Sequence, residues 1–322
     1  MKRYFRSAIP ILLVALCLPA VAIAQVYPSK PVRVIIVFPP GGSTDVTGRI
    51  VFGKMPEVMG QPFVIENRGG AAGTIGSEFV TRSPADGYTV MVQSTTHVAN
   101  AHLYKKLPYD VLKDFIGVTA LARQVGVLVV HPSLPVKSIK ELVALAKRRP
   151  GQIVYGASGN GSYAHMAMAL FVSMSGTHML NVQYKGAGPG HIALIGGETQ
   201  AMLTTLGSIA PHIKAGQVRA LGVSSDTRMA QFPDIPAIAE SVPGYEFTAW
   251  VGCFVPAGTP RAIVDALNAA LKKALEHPEV ASRLTELTLD PMHMTPEQFA
   301  QRLRADYDKY AKVVKISGAK IE

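Results

Sequence analysis

An alternation dominates this chain. Apolar runs of strand length recur, each closed by a loop of glycine, serine and threonine, and stretches with helical periodicity follow. Residues 32–38 (VRVIIVF) precede PPGGSTD and a helical pattern at 44–59, and residues 62–66 precede another at 74–82. Further strand-like runs lie at 88–93, 125–131, 153–155, 179–184, 200–204 and 218–223, with helical patterns at 138–148, 162–175, 189–195, 260–276 and 296–314. The alternation predicts an α/β architecture with mostly parallel sheets. In such sheets ligands bind beyond the carboxyl ends of strands. Ser138 with Glu141, and Thr295 with Pro296 and Gln298, carry helix-start chemistry. The Pro- and Gly-rich stretch 232–244 reads as a surface connection between parts of two lobes.

At the N-terminus Lys2, Arg3 and Arg6 precede an apolar run at 9–23, which Pro10 and Pro19 interrupt and Ala22-Ile23-Ala24 closes. This is the pattern of a signal peptide cleaved after Ala24, which places the protein in the periplasm. The run falls short of the roughly 20 unbroken apolar residues of a membrane anchor. Leu16 before Cys17 is too large for lipoprotein processing. Removing 24 of 322 residues leaves 298, more than one ordinary core serves, so two lobes are expected. Cys253 is then the sole cysteine, and the core rather than a disulfide must hold the chain. Lys plus Arg falls from 32 to 29 against 22 acidic residues, a net charge near +7 that favours anions. The basic residues are scattered and no nucleic-acid motif occurs, so no nucleic acid is expected as partner.

The loops carry the chemistry. Pro39 and Pro40 stiffen the exit of the first run, Gly41 and Gly42 permit tight turns, and Ser43, Thr44 or Asp45 can cap the next helix. Exposed N–H groups at a helix start form an anion site, and hydroxyls add donors. Asp45 would repel a bare anion, so it should cap the helix, orient water or face a hydroxylated or cationic part of a ligand. The device recurs at Ser94-Thr95-Thr96-His97, at Ser158-Gly159-Asn160-Gly161-Ser162, at Tyr184-Lys185-Gly186-Ala187 and at Thr204-Thr205-Leu206-Gly207-Ser208. Reactive signatures are missing: Ser158 sits in GASGN rather than G-x-S-x-G, Gly70, Gly73 and Gly76 form GxxGxxG rather than the dinucleotide fingerprint, and the histidines lack metal-ligand spacing. No catalytic residue, metal or cofactor is expected.

The segments YPSKPVRVIIVFPPGGSTDVTGR, QPFVIENRGGAAGTIGSEFV, SPADGYTV, NVQYKGAGP and FVPAGTP, in that order, resemble the Bug-type substrate-binding proteins of tripartite tricarboxylate transport systems. The resemblance runs from Tyr27 nearly to the C-terminus. It implies a two-lobed type II periplasmic-binding-protein (Venus flytrap) fold, acting as a monomer without catalysis. Such a protein captures a small carboxylate and presents it to membrane transporter subunits. The expected lobes are 25–123 plus 224–322, and 124–223. Carried over by position, lobe one contributes Gly41 to Asp45 and Ser94 to His97; lobe two contributes Ser158 to Ser162 and Tyr184 to Ala187. Many relatives carry an acidic residue near Gln200, and its replacement here argues against amino-acid ligands. A carboxylate sensor for a membrane kinase and an exported α/β hydrolase or isomerase remain as alternatives.

Overall fold

The computed structural model describes residues 27–319, so the signal peptide expected over 1–24 lies outside the described residues. β1 (Val32–Ile36) buries Val32, Val34, Ile35 and Ile36, as only a strand covered on both faces can. It pairs in parallel with β2 (Phe63–Asn67) and β3 (Thr89–Ser94). The sheet continues through β10 (Ala249–Pro256) and β4 (Phe115–Gln124) to β11 (Leu289–Pro291), in the order β2-β1-β3-β10-β4-β11. On one face α1 (Ser43–Met59) packs against α8 (Arg261–Glu276), with Val51, Phe52, Leu267 and Leu271 in the core between them.

The second lobe holds β5 (Gly126–Val130), β6 (Val154–Ala157), β7 (Leu180–Gln183), β8 (Ala201–Thr205) and β9 (Arg219–Val223), in the order β7-β6-β8-β5-β9. Its helices are α4 (Ile139–Arg148), α5 (Tyr163–Ser175), α6 (Ala187–Ile195) and α7 (Leu206–Lys214). The chain passes from one sheet to the other between Gln124 and Gly126, and returns between Val223 and Ala249.

Both sheets are mixed, a departure from the mostly parallel arrangement expected. β10 runs antiparallel to β3 and β4, and β5 antiparallel to β8 and β9. The crossings explain it. β1, β3, β8 and β9 run toward the space between the lobes, whereas β5 and β10 enter their sheets from that space and must run away from it. Residues 232–244 are also more than a surface connection: Ala237, Ile238 and Val242 are buried, and Ala237 bridges to Val223.

The last helix, α10 (Pro296–Ser317), packs on α3 (Thr96–Leu103), β4 and α5, and so touches both lobes. Its anchor is Asp306, whose Oδ2 accepts from the buried Trp250 indole at 2.7 Å and from Arg302 Nε at 2.7 Å. Phe299 closes the same site, edge-on to Trp250 at 5.1 Å. Glu246, on the segment returning to the first lobe, pairs with Lys309 of α10. Removing the Asp306 carboxylate strands a buried indole N–H and leaves Arg302 to the more distant Glu246, at 3.6 Å. Asp306→Ala is therefore expected to lower stability in urea unfolding by about 3–5 kcal/mol, the scale for breaking a buried charged pair. Asp306→Asn, which keeps an acceptor for Trp250, should lose less.

Candidate functional site

Strand ends and helix starts converge between the sheets. After β1 the chain turns through Gly41, whose φ of +86° requires glycine. Gly42 is different: at φ −75° and ψ 163° it is ordinary extended backbone, and a Cβ there would meet only the Pro39 carbonyl at 3.8 Å. Only the first glycine is needed for the turn.

Asp45 folds back on this loop. Its Oδ2 accepts from the Gly41 amide at 2.9 Å, Asn67 Nδ2 donates to Oδ1 at 2.7 Å, and Arg49 Nε reaches both oxygens at 3.0 Å. Burial pushes its pKa up, but the bonds from Asn67, Gly41 and Arg49 outweigh it and hold the carboxyl below the usual range. Asp45 thus braces the loop, and the structure takes it out of the set that could meet a ligand. The Gly41 amide is engaged with it. Val46 is the first residue of α1 to donate along the helix, to the Gly42 carbonyl at 2.9 Å. The amides of Ser43 and Thr44 precede it, and no side chain caps α1.

The start of α3 lies beside them. Gln93 Oε1 accepts from the Ser94 amide at 2.8 Å and from the Thr96 hydroxyl at 3.2 Å, while Ser94 Oγ and Thr96 Oγ1 lie 2.6 Å apart. The Thr96 proton therefore goes to Gln93 and the Ser94 proton to Thr96, so both hydroxyls are engaged within this start. α6, after Gly186, and α7, after Thr205, likewise start without a side-chain cap. By contrast α4, α5 and α10 are capped by Ser138, Ser162 and Thr295, each hydroxyl accepting at 3.2 Å from the third residue of its helix. The helix starts at Thr74, Arg261 and Pro278 also lack a side-chain cap; α1, α3, α6 and α7 are the uncapped starts that border the cavities between the sheets.

Two cavities meet at Gly42, Ser43 and Gln124. The inner chamber, about 410 Å³, is walled by Phe38, Thr44, Ser94 to Thr96, Tyr163 and Ala249, and no acidic or basic side chain lines it. The outer cleft, about 1000 Å³, lies between Gly41 to Ser43, Ala187, α7 from Ser208 near its start to Lys214 at its end, Phe232, and a turn at residues 285–289. Here the lobes touch: a Cβ on Gly207 would come within 2.5 Å of Thr288 Oγ1. Thr288 itself takes φ +56°, uncommon for a β-branched residue.

Of the residues expected from sequence, Gly41, Gly42, Ser43, Thr44, Ser94, Thr95, Thr96 and Ala187 border these spaces. His97 does not serve: it is fully buried, stacked at 4.6 Å on Phe254 and edge-on at 5.0 Å to Phe115, with Nε2 bonded to the Val111 carbonyl. Thr204 is buried with its hydroxyl 3.0 Å from His191 Nε2, and its neighbour Thr205 lines the cleft instead. Ser158, Gly159, Asn160, Gly161 and Ser162 border neither cavity; the Ser162 hydroxyl caps α5 and the Gly161 amide donates to His165 Nδ1. Tyr184 lies over Gly156 and Gly190, Lys185 is exposed, and Gly186 precedes α6. Gln200 sits at the start of β8, its Oε1 accepting from the Val154 amide at 2.8 Å. That is the strand end away from the cleft, so its identity says nothing about a ligand amine. Gln124, Tyr163 and the 285–289 turn escaped the sequence reading. Tyr163 directly follows the GNGS loop and could have been found there; nothing in the sequence marks the turn.

A two-lobed α/β molecule whose central cleft is lined by helix starts is a solute-binding protein of the Venus-flytrap class. The chain belongs to the tripartite tricarboxylate transporter receptor family, whose model matches residues 47–318. It is 34% identical to BugT of Bordetella pertussis over 302 residues, 93% of each chain. Among solved structures, it resembles an R. palustris protein with adipate at 34% identity and TM-score 0.77, covering 92% of this chain and all of that one. It also resembles MatC from Rhodopseudomonas palustris with bound malate at 31% identity and TM-score 0.73, covering 89% of this chain and all of that one. The family and its neighbours are binding proteins, so the chain is a receptor and not an enzyme.

Burial depresses the His97 pKa from 6.5 to about 4, because a charged imidazole has no partner among those aromatic rings. In the unfolded chain the ring takes its proton near pH 6.5, whereas the native ring resists until about 4. Stability is complete above pH 6.5 and lost as pH falls toward 4, by about 3 kcal/mol at 1.36 kcal/mol per pH unit. Urea unfolding at stepped pH should show this decline, and His97→Leu should flatten it.

Proposed function

We propose that this protein is a periplasmic receptor that captures a small mono-, di- or tricarboxylate, aromatic ones included, and presents it as a monomer to membrane subunits of a tripartite tricarboxylate transporter. The observation that carries this reading is the uncapped start of α1. Its Ser43 and Thr44 amides border a chamber that no acidic or basic side chain lines. A helix start carries partial positive charge and unpaired donors, the complement of a carboxylate.

The neutral inner chamber narrows the ligand further. An ammonium group seated there would find no carboxylate, since Asp45 is occupied by Gly41, Asn67 and Arg49. Amino acids are therefore poorer ligands than carboxylates without an amine. Adipate and malate in two relatives agree with that class. We take 27–123 with 224–319 as one lobe and 124–223 as the other. The loops at 158–162 and 184–187 then reach the ligand when the lobes close around it. Export follows the signal cleaved after Ala24, so the mature protein should start at Gln25, as mass spectrometry of periplasmic protein from the native host would show. A membrane-retained chain beginning at Met1 would contradict it.

Ligand binding raises the melting temperature of the folded state. A thermal-shift screen of carboxylates, amino acids, sugars and metal ions should respond to carboxylates, and a shift with a sugar or metal alone would sink the reading. Thr44→Ala should cost about 1–3 kcal/mol of affinity, the scale for losing one buried hydrogen-bond partner. Gly42→Val should abolish binding while leaving the unliganded melting temperature nearly unchanged. Its backbone suits any residue, and its side chain would fill the junction of the two cavities.

A further inference from the structure

Tyr163 stands where both crossings meet. The first crossing brings Gly126, which follows Gln124 of the cavity wall. The second brings Ser224, and the returning segment brings Phe247. These three are bonded to one another through backbone: the Ser224 amide donates to the Gly126 carbonyl at 2.8 Å, and the Phe247 amide to the Ser224 carbonyl at 2.9 Å. Above them lies a chain of side-chain bonds whose direction is fixed. The Phe247 carbonyl can only accept, so the Tyr163 hydroxyl donates to it, at 2.6 Å. The Gly126 amide can only donate, and it donates to Ser224 Oγ at 2.8 Å. The Ser224 hydroxyl therefore passes its proton toward Tyr163 Oη, 2.9 Å away.

The fit is close. A Cβ on Gly126 would come within 2.6 Å of Tyr163 Oη, so the phenol reaches the strand only because that residue is glycine. The ring packs on Phe247 at 5.4 Å, and Phe247 on Tyr310 of α10 at 5.5 Å. With its one proton given to Phe247, the hydroxyl has none for a ligand. Tyr163 faces the inner chamber while tying both crossings to α5 of the second lobe.

We propose that Tyr163 is a positioning residue that fixes the pivot between the lobes and thereby the length of carboxylate that the closed cleft accepts. This rests on the receptor reading above, in which one ligand touches donors of both lobes. A defined pivot brings α6 and α7 toward α1 to one separation; a loosened pivot allows several, and selectivity for length falls.

The test uses the full mature chain and the α,ω-dicarboxylates from malonate to suberate, titrated by calorimetry. Spin-label distances between Lys140→Cys in α4 and Lys273→Cys in α8, both exposed, report the lobes directly. The native Cys253 is fully buried and stays unlabelled. The wild-type chain should prefer one length over its neighbours and show a narrow distance distribution without ligand. Tyr163→Phe, which keeps the ring, should lower that preference at least threefold and broaden the distribution. Ser224→Ala should do the same, and the double variant no more than either, because one bonded chain is broken once. A uniform loss of affinity for all lengths, with preference and distances unchanged, would overturn the proposal. If the wild-type chain binds no member of the series, the thermal-shift screen decides the receptor reading separately, and the unliganded distances decide the pivot: broadened in both variants supports it, unchanged overturns it.

Discussion

The bond from the Trp250 indole to the Asp306 carboxylate joins the middle of the first sheet to the one long helix that touches both lobes. β10 is buried along its whole length, and α10 lies over it and continues onto α5. With a single buried cysteine among the described residues, no disulfide can share this task. The requirement is twofold: the lobes must be joined firmly enough to act as one molecule, and at few enough points to rotate. A helix anchored by charge in one lobe and packed against the other meets it. The crossings add hydrogen bonds at one small junction rather than a broad interface.

The cleft follows from where polar groups are left unpaired. Buried amides are almost always satisfied, so an uncapped helix start that lines a cavity asks for an acceptor there. This chain caps α4, α5 and α10 with its own hydroxyls; of the starts without a side-chain cap, α1, α3, α6 and α7 border the cavities, whereas those at Thr74, Arg261 and Pro278 do not. Asp45 is the apparent contradiction, an acid in the first turn of α1. Saturated by Gly41, Asn67 and Arg49, it spends its charge inside the loop and leaves the amides beside it for another anion.

Much of this was readable in the sequence because backbone-donor loops are written in composition. PPGGSTD after an apolar run can do little except turn and start a helix, and STT after the run ending at Gln93 offers hydroxyls wherever it lies. What escaped depends on partners far along the chain. His97 shares the STTH loop with Ser94 and Thr96, yet helical geometry turns it toward Phe115 and Phe254, which no local pattern announces. The 285–289 turn reaches the cleft only because α8 and α9 (Pro278–Glu286) carry it there. β10, with β11 beyond β4, is what makes the first sheet mixed. The direction of β10 is set by which lobe the chain is leaving, information that belongs to topology and not to residue type.

The open helix starts also bear on how such a receptor discriminates between its empty and filled states. α1 of one lobe and α6 and α7 of the other present their N-termini to the same outer cleft. Each carries roughly half a positive charge, so closing an empty cleft brings like charges together and removes water from unpaired amides. A carboxylate between them reverses the sign: every helix start then meets a negative charge, with about 0.3–1 kcal/mol gained per favourable contact and up to about 2 kcal/mol where the site is partly buried. Under the proposed function, the differential affinity that shifts a two-state lobe equilibrium would thus have its source in the ligand's charge. A neutral solute of the same shape would fill the space without relieving the repulsion, and would leave the lobes apart.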